Sequence, residues 1–264
     1  MNDPYYETCS RCENGVEVTD NHDRYYLCNS GSTPQKCVKQ VRKSVRLVAH
    51  TPDPLSVIES AAAVCYNSKP TKSGRIAKQC YKSGHTSVFE HASFTFEITG
   101  VSRALLAQIT RHRIASFSVR SQRYCNEDEF ATVIPNSVQK NNADNIFRSA
   151  IVACRSAYKR LVDAGVPKED ARFVLPNACE TTIVMTMNMR ELINFCGLRM
   201  CNRAQWEIRG VAIAMAECVR EVDPQLAEYL RPNCERYAPY YFCTETHGCG
   251  MHPMLSEVFD GKTP

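Results

Sequence analysis

Two periods of apolar and polar residues mark out the elements of this chain. Val45, Leu47 and Ala49 recur at every second position, which predicts a strand near the start of a globular core at Ser44. Asp53-Pro54 then opens a helix with Pro54 near the first helical position, running through Ile58, Ala61, Ala62 and Cys65. Phe94, Phe96 and Ile98 alternate with Ser93, Thr95, Glu97 and Thr99, the pattern of a half-buried strand, which Gly100 is expected to end. Ser102 is placed to cap a helix through Leu105, Leu106 and Ile109. In the second half, Phe147, Ala150, Ile151, Cys154, Tyr158 and Leu161 fall at helical spacing, stopped by Gly165 and Pro167. Ile183, Met185 and Met187 predict another strand, Leu192, Phe195 and Cys196 a helix, and Ile208, Val211, Ala212, Met215 and Val219 a further amphipathic helix ended by Pro224. Strands and helices mix without regular βαβ alternation, so the fold class is read as α+β.

The segments outside these patterns differ in composition. Residues 1–43 are polar, show little periodicity and carry Cys9, Cys12, Cys28 and Cys37. Cys9 and Cys12 form a C-x2-C pair, and the other two cysteines would complete a tetrahedral zinc site; free thiols on an irregular extension are the alternative. The stretch from Cys234 to His252 is again irregular and holds Cys234, Cys243, His247, Cys249 and His252, either soft metal ligands or surface thiols and imidazoles. This divides the chain into an extension over 1–43, a core over 44–232 and a tail over 233–264.

Composition narrows the class. At 264 residues, 44% hydrophobic and 23% charged, the chain has the make-up of a globular protein, not of a disordered or fibrous one. A count of 15 cysteines would suggest disulfides in a small secreted domain, but here the chain is large and several cysteines lie inside helical patterns, so reduced thiols are expected. No signal-like or membrane-spanning run is present, and a cytoplasmic protein with no membrane partner is expected. The net charge of +4 is low for a dedicated nucleic-acid binder.

That small net charge hides one dense basic segment. Arg111-His112-Arg113-Ile114-Ala115-Ser116-Phe117-Ser118-Val119-Arg120-Ser121-Gln122-Arg123-Tyr124 has four arginines, a histidine, three serines and no acid. Four guanidinium groups cannot be buried without partners. Their planar donor forks suit phosphate and the carbonyl edge of a base, and serine hydroxyls complete such an anion cradle. A solvated basic loop, or a zinc-containing nucleic-acid-binding protein that uses this loop and the cysteine-rich ends, is the competing reading.

Arg-His-Arg followed after seven residues by Ser121, then Gln122-Arg123-Tyr124, resembles the signature of the flavin-dependent thymidylate synthases. Gly84-His85-Thr86-Ser87 and Phe89-Glu90-His91 upstream are similar to that family's lead-in. So, downstream, are Arg172-Phe173-Val174-Leu175-Pro176, Asn188-Met189-Arg190, Asn194, Leu198-Arg199 and Arg203-Ala204-Gln205-Trp206-Glu207-Ile208. The motifs occur in the family's order from about Ser44 to Pro232. The resemblance implies a mixed sheet flanked by long helices, assembled as a homotetramer. The implied reaction is reductive methylation of dUMP to dTMP, with methylenetetrahydrofolate as carbon donor, FAD recharged by NADPH, and no cysteine nucleophile or nucleic-acid partner.

Residue roles follow from the same resemblance. Arg199 matches the arginine that stabilises negative charge on the uracil ring. The dUMP-binding positions are Gln108, Ile109, Thr110, Arg111, Val119, Arg120, Ser121, Gln122, Arg123, Arg172 and Arg199, with Ser121 and Arg123 on the phosphate. The FAD-binding positions are Ser87, Arg111, His112, Arg113, Val119, Asn188, Met189, Arg190 and Asn194, with His85 near the flavin and folate. Ser118 stands where many members have Asn, and Val119 where others have Glu or Gln, so at Val119 either the backbone serves or Arg120 and water replace the polar contact. Trp206 is expected to pack, and Glu90 with His91 to form either a structural pair or part of the site.

Overall fold

The computed structural model describes residues 15–20 and 23–28 (backbone only), 40, 42–65, 67–71, 73–236 and 240–259. In chain order the strands are β1 (Gly15–Asp20), β2 (Asp23–Cys28), β3 (Ser44–His50), β4 (Ser93–Ser102), β5 (Ala115–Val119) and β6 (Glu180–Asn188). The helices are α1 (Pro54–Cys65), α2 (Arg75–Lys82), α3 (Arg103–Ile109), α4 (Asn136–Lys140), α5 (Asp144–Asp163), α6 (Lys168–Ala171), α7 (Met189–Arg199), α8 (Trp206–Val222), α9 (Pro224–Ala227) and α10 (Leu255–Phe259). The α+β reading stands. No helix among the described residues is long and apolar enough to cross a membrane.

The chain divides into two compact units. The first holds Lys43–Val119 and Thr181–Pro264. Its sheet has the order β3-β4-β6-β5. β3 pairs antiparallel with β4, and β5 with β6. Between β4 and β6, the Thr95–Thr186 hydroxyl bond and the bond from Met189 N–H to Ala92 C=O advance in opposite senses along the two strands, so this pairing is antiparallel too. The expected mixed sheet is therefore corrected to an antiparallel one. The reason lies in the burial alternation of β4 and β6: one face lies on the core and the other does not, whereas parallel strands are buried on both faces and read as continuous apolar runs.

Phe94, Phe96, Ile98, Ile183 and Met185 are fully buried on that inner face, in one cluster with Leu192 and Phe195 of α7 and Ile208, Val211, Ala212 and Met215 of α8. The 3.6-residue spacing on the helices and the two-residue spacing on the strands bring both sets to the same layer boundary. Gly100 does not end β4. It takes φ 66°, a conformation that glycine adopts without a Cβ clash, and the strand continues to Ser102. Ser102 then caps α3, its Oγ accepting from Leu105 N at 3.0 Å. A similar cap starts α9, where the Asp223 carboxylate accepts from Gln225 N at 2.9 Å and Leu226 N at 3.1 Å. Asp223→Ala is expected to cost about 1 kcal/mol in a denaturant titration, with activity unchanged.

The second unit holds the hairpin and Arg120–Glu180. β1 and β2 pair antiparallel from Gly15↔Cys28 to Asp20↔Asp23, regular structure in a segment whose sequence shows little period. A smaller core of Phe130, Ile134, Ile151 and Cys179 packs beneath α5 residues Phe147 and Val152. The Arg155 guanidinium donates to the Phe130 carbonyl and lies 4.9 Å from the centroid of that ring. The side chains of Cys9, Cys12, Cys28 and Cys37, the expected zinc set, lie outside the described residues.

Candidate active site

Two groups of side chains carry the expected chemistry, one in each unit. In the sheet unit, α7 begins where β6 ends, and Asn188 is its N-cap, the side-chain oxygen accepting from Glu191 N at 2.9 Å. The helix turns Glu191, Asn194 and Phe195 toward one site and ends at Arg199, where a cation is favoured by the helix C-terminus. The loop after α3 brings His112 into this site, 6% exposed, while its neighbours Arg111 and Arg113 stay exposed.

Both ring nitrogens of His112 are engaged. Arg199 Nε donates to His112 Nε2 at 3.0 Å, and His112 Nδ1 lies 2.9 Å from Glu191 Oε1. Guanidinium nitrogens only donate and a carboxylate only accepts, so the ring is neutral with its proton on Nδ1. Burial pushes the imidazole below its usual range, the Arg199 charge adds to that, and the Glu191 carboxylate opposes it. Phe195 meets the ring edge-on at 4.8 Å between centroids. Asn194 Nδ2 donates to both oxygens of Glu191 at 3.3 Å. Burial also lowers Arg199, but a guanidinium keeps its charge at neutral pH. The Arg199 side chain makes no other hydrogen bond among the described residues, and its terminal nitrogens remain for a ligand.

Two hollows adjoin this chain of bonds. One, of about 410 Å³, is lined by Thr86, Glu90, Ile114, Asn188, Arg190, Glu191, Ile193, Asn194 and Arg236. It contains three of the expected FAD positions, Asn188, Arg190 and Asn194. Its mix of amides, two guanidinium groups and aliphatic side chains fits part of a polar, ring-bearing cofactor. The other, of about 720 Å³, has Arg199 in its wall together with Cys201, Asn202, Arg203 and tail residues from Asn233 to His252.

Other expected positions are placed as follows. His85 and Ser87 are exposed at the 3-10 turn over Thr86–His91. Ile109 and Met189 are fully buried in the core, so only their backbones can meet a ligand. Gln108 Nε2 and Thr110 Oγ1 bond back to carbonyls of α3. Val119 packs its side chain against the core at the end of β5. Glu90 pairs with Arg190, not with the adjacent His91. Trp206, expected to pack, is 39% exposed at the first turn of α8.

In the other unit, Glu169 at the start of α6 gathers two arginines. Its carboxylate accepts from Arg123 Nε at 2.8 Å and Nη2 at 2.7 Å, and its carbonyl accepts from Arg172 Nε at 3.0 Å. Ser121 Oγ accepts from Arg123 N at 3.2 Å. Arg123, Arg172 and Ser121 thus share one neighbourhood, in which the Arg123–Glu169 pair is exposed, and an exposed ion pair yields readily to an incoming phosphate. Arg120 is held differently, at 3.4 Å from Glu127 and 3.6 Å from Glu180, and Gln122 turns inward to donate to Cys179 Sγ at 3.5 Å. These two side chains brace the loop.

The sequence does not mark Glu191 and Glu169: Glu191 reads as an ordinary capping-box acid three residues after Asn188, and Glu169 as a charge on a short helix. Burial pushes the Cys196 thiol up to about 12 and Cys234 up to about 11, which keeps both protonated. No group of three or more metal-ligating side chains gathers among the described residues, Cys234, Cys243, His247, Cys249 and His252 included.

A family model described as thymidylate synthase complementing protein matches residues 46–225. A flavin-dependent thymidylate synthase from Geobacter sulfurreducens is 49% identical over 203 residues, covering 72% of this chain and 88% of the relative. One from Nitratidesulfovibrio vulgaris is 41% identical over 240 residues, covering 81% and 97%. Among solved structures, a flavin-dependent thymidylate synthase from Helicobacter pylori complexed with FAD and dUMP superposes with a TM-score of 0.59 at 28% identity, covering 71% of this chain and 99% of that one. A UMP/dUMP methylase from Streptomyces cacaoi bound with 5-Br dUMP gives a TM-score of 0.65 at 24% identity over 73% and 96%, a likeness of fold.

Proposed function

The chain belongs to the flavin-dependent thymidylate synthase family, and on that premise we propose that it methylates dUMP to dTMP with methylenetetrahydrofolate as carbon donor and FAD as redox cofactor, recharged by NADPH. The observation that carries this reading is the ordered chain Arg199–His112–Glu191, which presents a fixed guanidinium beside a hollow.

A guanidinium beside the imide edge of uracil favours the ring's anionic form. Charge pushed into the ring makes C5 the better carbon nucleophile, so an arginine held there acts before and during carbon transfer. Arg199 has this role. Arg123, Ser121 and Arg172 bind the phosphate, Arg123 exchanging its Glu169 contact for it. Asn188, Arg190 and Asn194 line the hollow assigned to FAD, with His85, Ser87, Arg111 and Arg113 on exposed positions of the same unit. FAD, when bound, supplies the reducing equivalents that convert the transferred one-carbon unit to a methyl group. The enzyme is proposed to work as a homotetramer in the cytoplasm. A nucleic-acid-binding role is less well supported, because the net charge is only +4 and that reading leaves the family match over residues 46–225 unexplained.

Purified protein is expected to be yellow and to release FAD on denaturation. With NADPH and methylenetetrahydrofolate it should release tritium from dUMP labelled at C5. A colourless protein that cannot be reconstituted with FAD would overturn the proposal. Arg123→Ala is expected to raise the KM for dUMP about tenfold or more while kcat changes little, because it removes a charge-assisted contact made equally in the ground and transition states.

A further inference from the structure

We propose that Glu191 is a positioning residue for Arg199, acting through His112. The inference rests on the function proposed above. Its physical basis is the polarity of the three-residue chain. Each link has one direction: Arg199 Nε donates to His112 Nε2, and His112 Nδ1 donates to Glu191 Oε1. If the imidazole proton moved to Nε2, two N–H groups would face each other and Arg199 would lose its hold. The Glu191 carboxylate is the group that selects the tautomer, as an orienting carboxylate does behind a histidine elsewhere in proteins. His112 and Glu191 are each 6% exposed, so water does not compete for these bonds. Asn194 fixes the carboxylate in turn, and Asn188, Glu191 and Asn194 all line the smaller hollow. The wall of the cofactor hollow and the orientation of Arg199 are therefore parts of one bonded network.

The charged groups acting on the His112 ring are Glu191 and Arg199, both on α7, while the flanking Arg111 and Arg113 are exposed and Phe195 covers the ring edge-on. Protonating His112 would put a proton on Nε2 facing Arg199, so activity should fall as the pH drops through the His112 titration. The Glu191 charge raises that titration. Removing it moves the acidic limb of the kcat/KM profile to lower pH, even though the variant is slower.

Glu191→Gln, which keeps the shape and removes the charge, is expected to lower kcat on the order of 10- to 100-fold, the usual loss when the partner behind a ligand-orienting histidine is removed. The acidic limb should be displaced downward, with kcat expressed per bound FAD, and part of the rate should be recovered in Glu191→Asp. Nitrogen-15 NMR of histidine-labelled wild-type protein, with the His112 signal identified by its loss in His112→Gln, should show the Nδ1-protonated tautomer. This readout does not depend on whether any Glu191 variant folds. Wild-type kcat and an unmoved pH profile in Glu191→Gln, or an Nε2-protonated His112 in the wild type, would overturn the proposal. Absence of tritium release by the wild-type protein would instead count against the function itself, leaving the tautomer result to stand alone.

Discussion

Arg199→Ala is expected to lower turnover of dUMP by about a thousandfold while FAD stays bound. Removing a single preorganised donor from a site of developing charge typically costs roughly 100- to 1,000-fold, and here a full positive charge is lost with it. The preorganisation is visible: the Arg199 Nε is fixed at 3.0 Å from a buried imidazole, so its terminal nitrogens are held before substrate arrives. Arg199→Lys keeps the charge but loses the planar fork and the bond to His112, and should recover only part of the rate. The measurement is C5 tritium release alongside the flavin absorbance of the purified variant. Loss of the flavin from Arg199→Ala would place the residue in cofactor binding and contradict its role at the pyrimidine.

The second large effect is on stability. Glu207, 2% exposed at the first turn of α8, accepts from Ser102 N at 2.7 Å and from Ser102 Oγ at 2.6 Å. Ser102 is also the cap of α3, so one carboxylate ties the start of α8 to the start of the helix that leads into Arg111 and His112. Glu207→Ala leaves a buried N–H and a buried hydroxyl without their acceptor. At about 1.5–3 kcal/mol for each hydrogen bond to a charged group, the expected loss for the two is about 3–6 kcal/mol. At roughly 2–4 °C per kcal/mol, the melting temperature should fall by about 10 °C. Glu207→Gln retains an acceptor and should lose less. A melting temperature within a degree or two of wild type for Glu207→Ala would show that α8 and α3 are held together by other contacts.

How much of this was legible in the sequence depends on what each residue has to satisfy. The strand at Phe94, Phe96 and Ile98 and the helix through Ile208, Val211 and Met215 could be read directly, because burying one face imposes a period on the sequence. The Pro54 start and the Ser102 cap were legible because backbone chemistry at helix ends selects those residues. β1 and β2 were not, since Val16 and Val18 alternate over too few positions to set a period and Tyr25-Tyr26-Leu27 in β2 do not alternate at all. Gly100 was misjudged as a stop because a positive φ within a strand and a strand end call for the same residue. At the site, the arginines and His112 announced themselves by type and spacing. Glu191 did not, because a carboxylate three residues after an Asn cap has a sufficient local explanation, and its bond to a histidine 79 positions away has no sequence signal. The cysteines drew notice by number, yet the described ones include buried thiols that pack like small apolar side chains.

A single turnover without oxygen tests the role of Arg199 in dUMP methylation most directly. Enzyme whose bound FAD has been reduced in advance is mixed with dUMP and methylenetetrahydrofolate, with no NADPH present. Flavin reoxidation together with up to one dTMP per flavin is expected, both about a thousandfold slower in Arg199→Ala. Reoxidation without dTMP, or dTMP formed at the wild-type rate by Arg199→Ala, would contradict it.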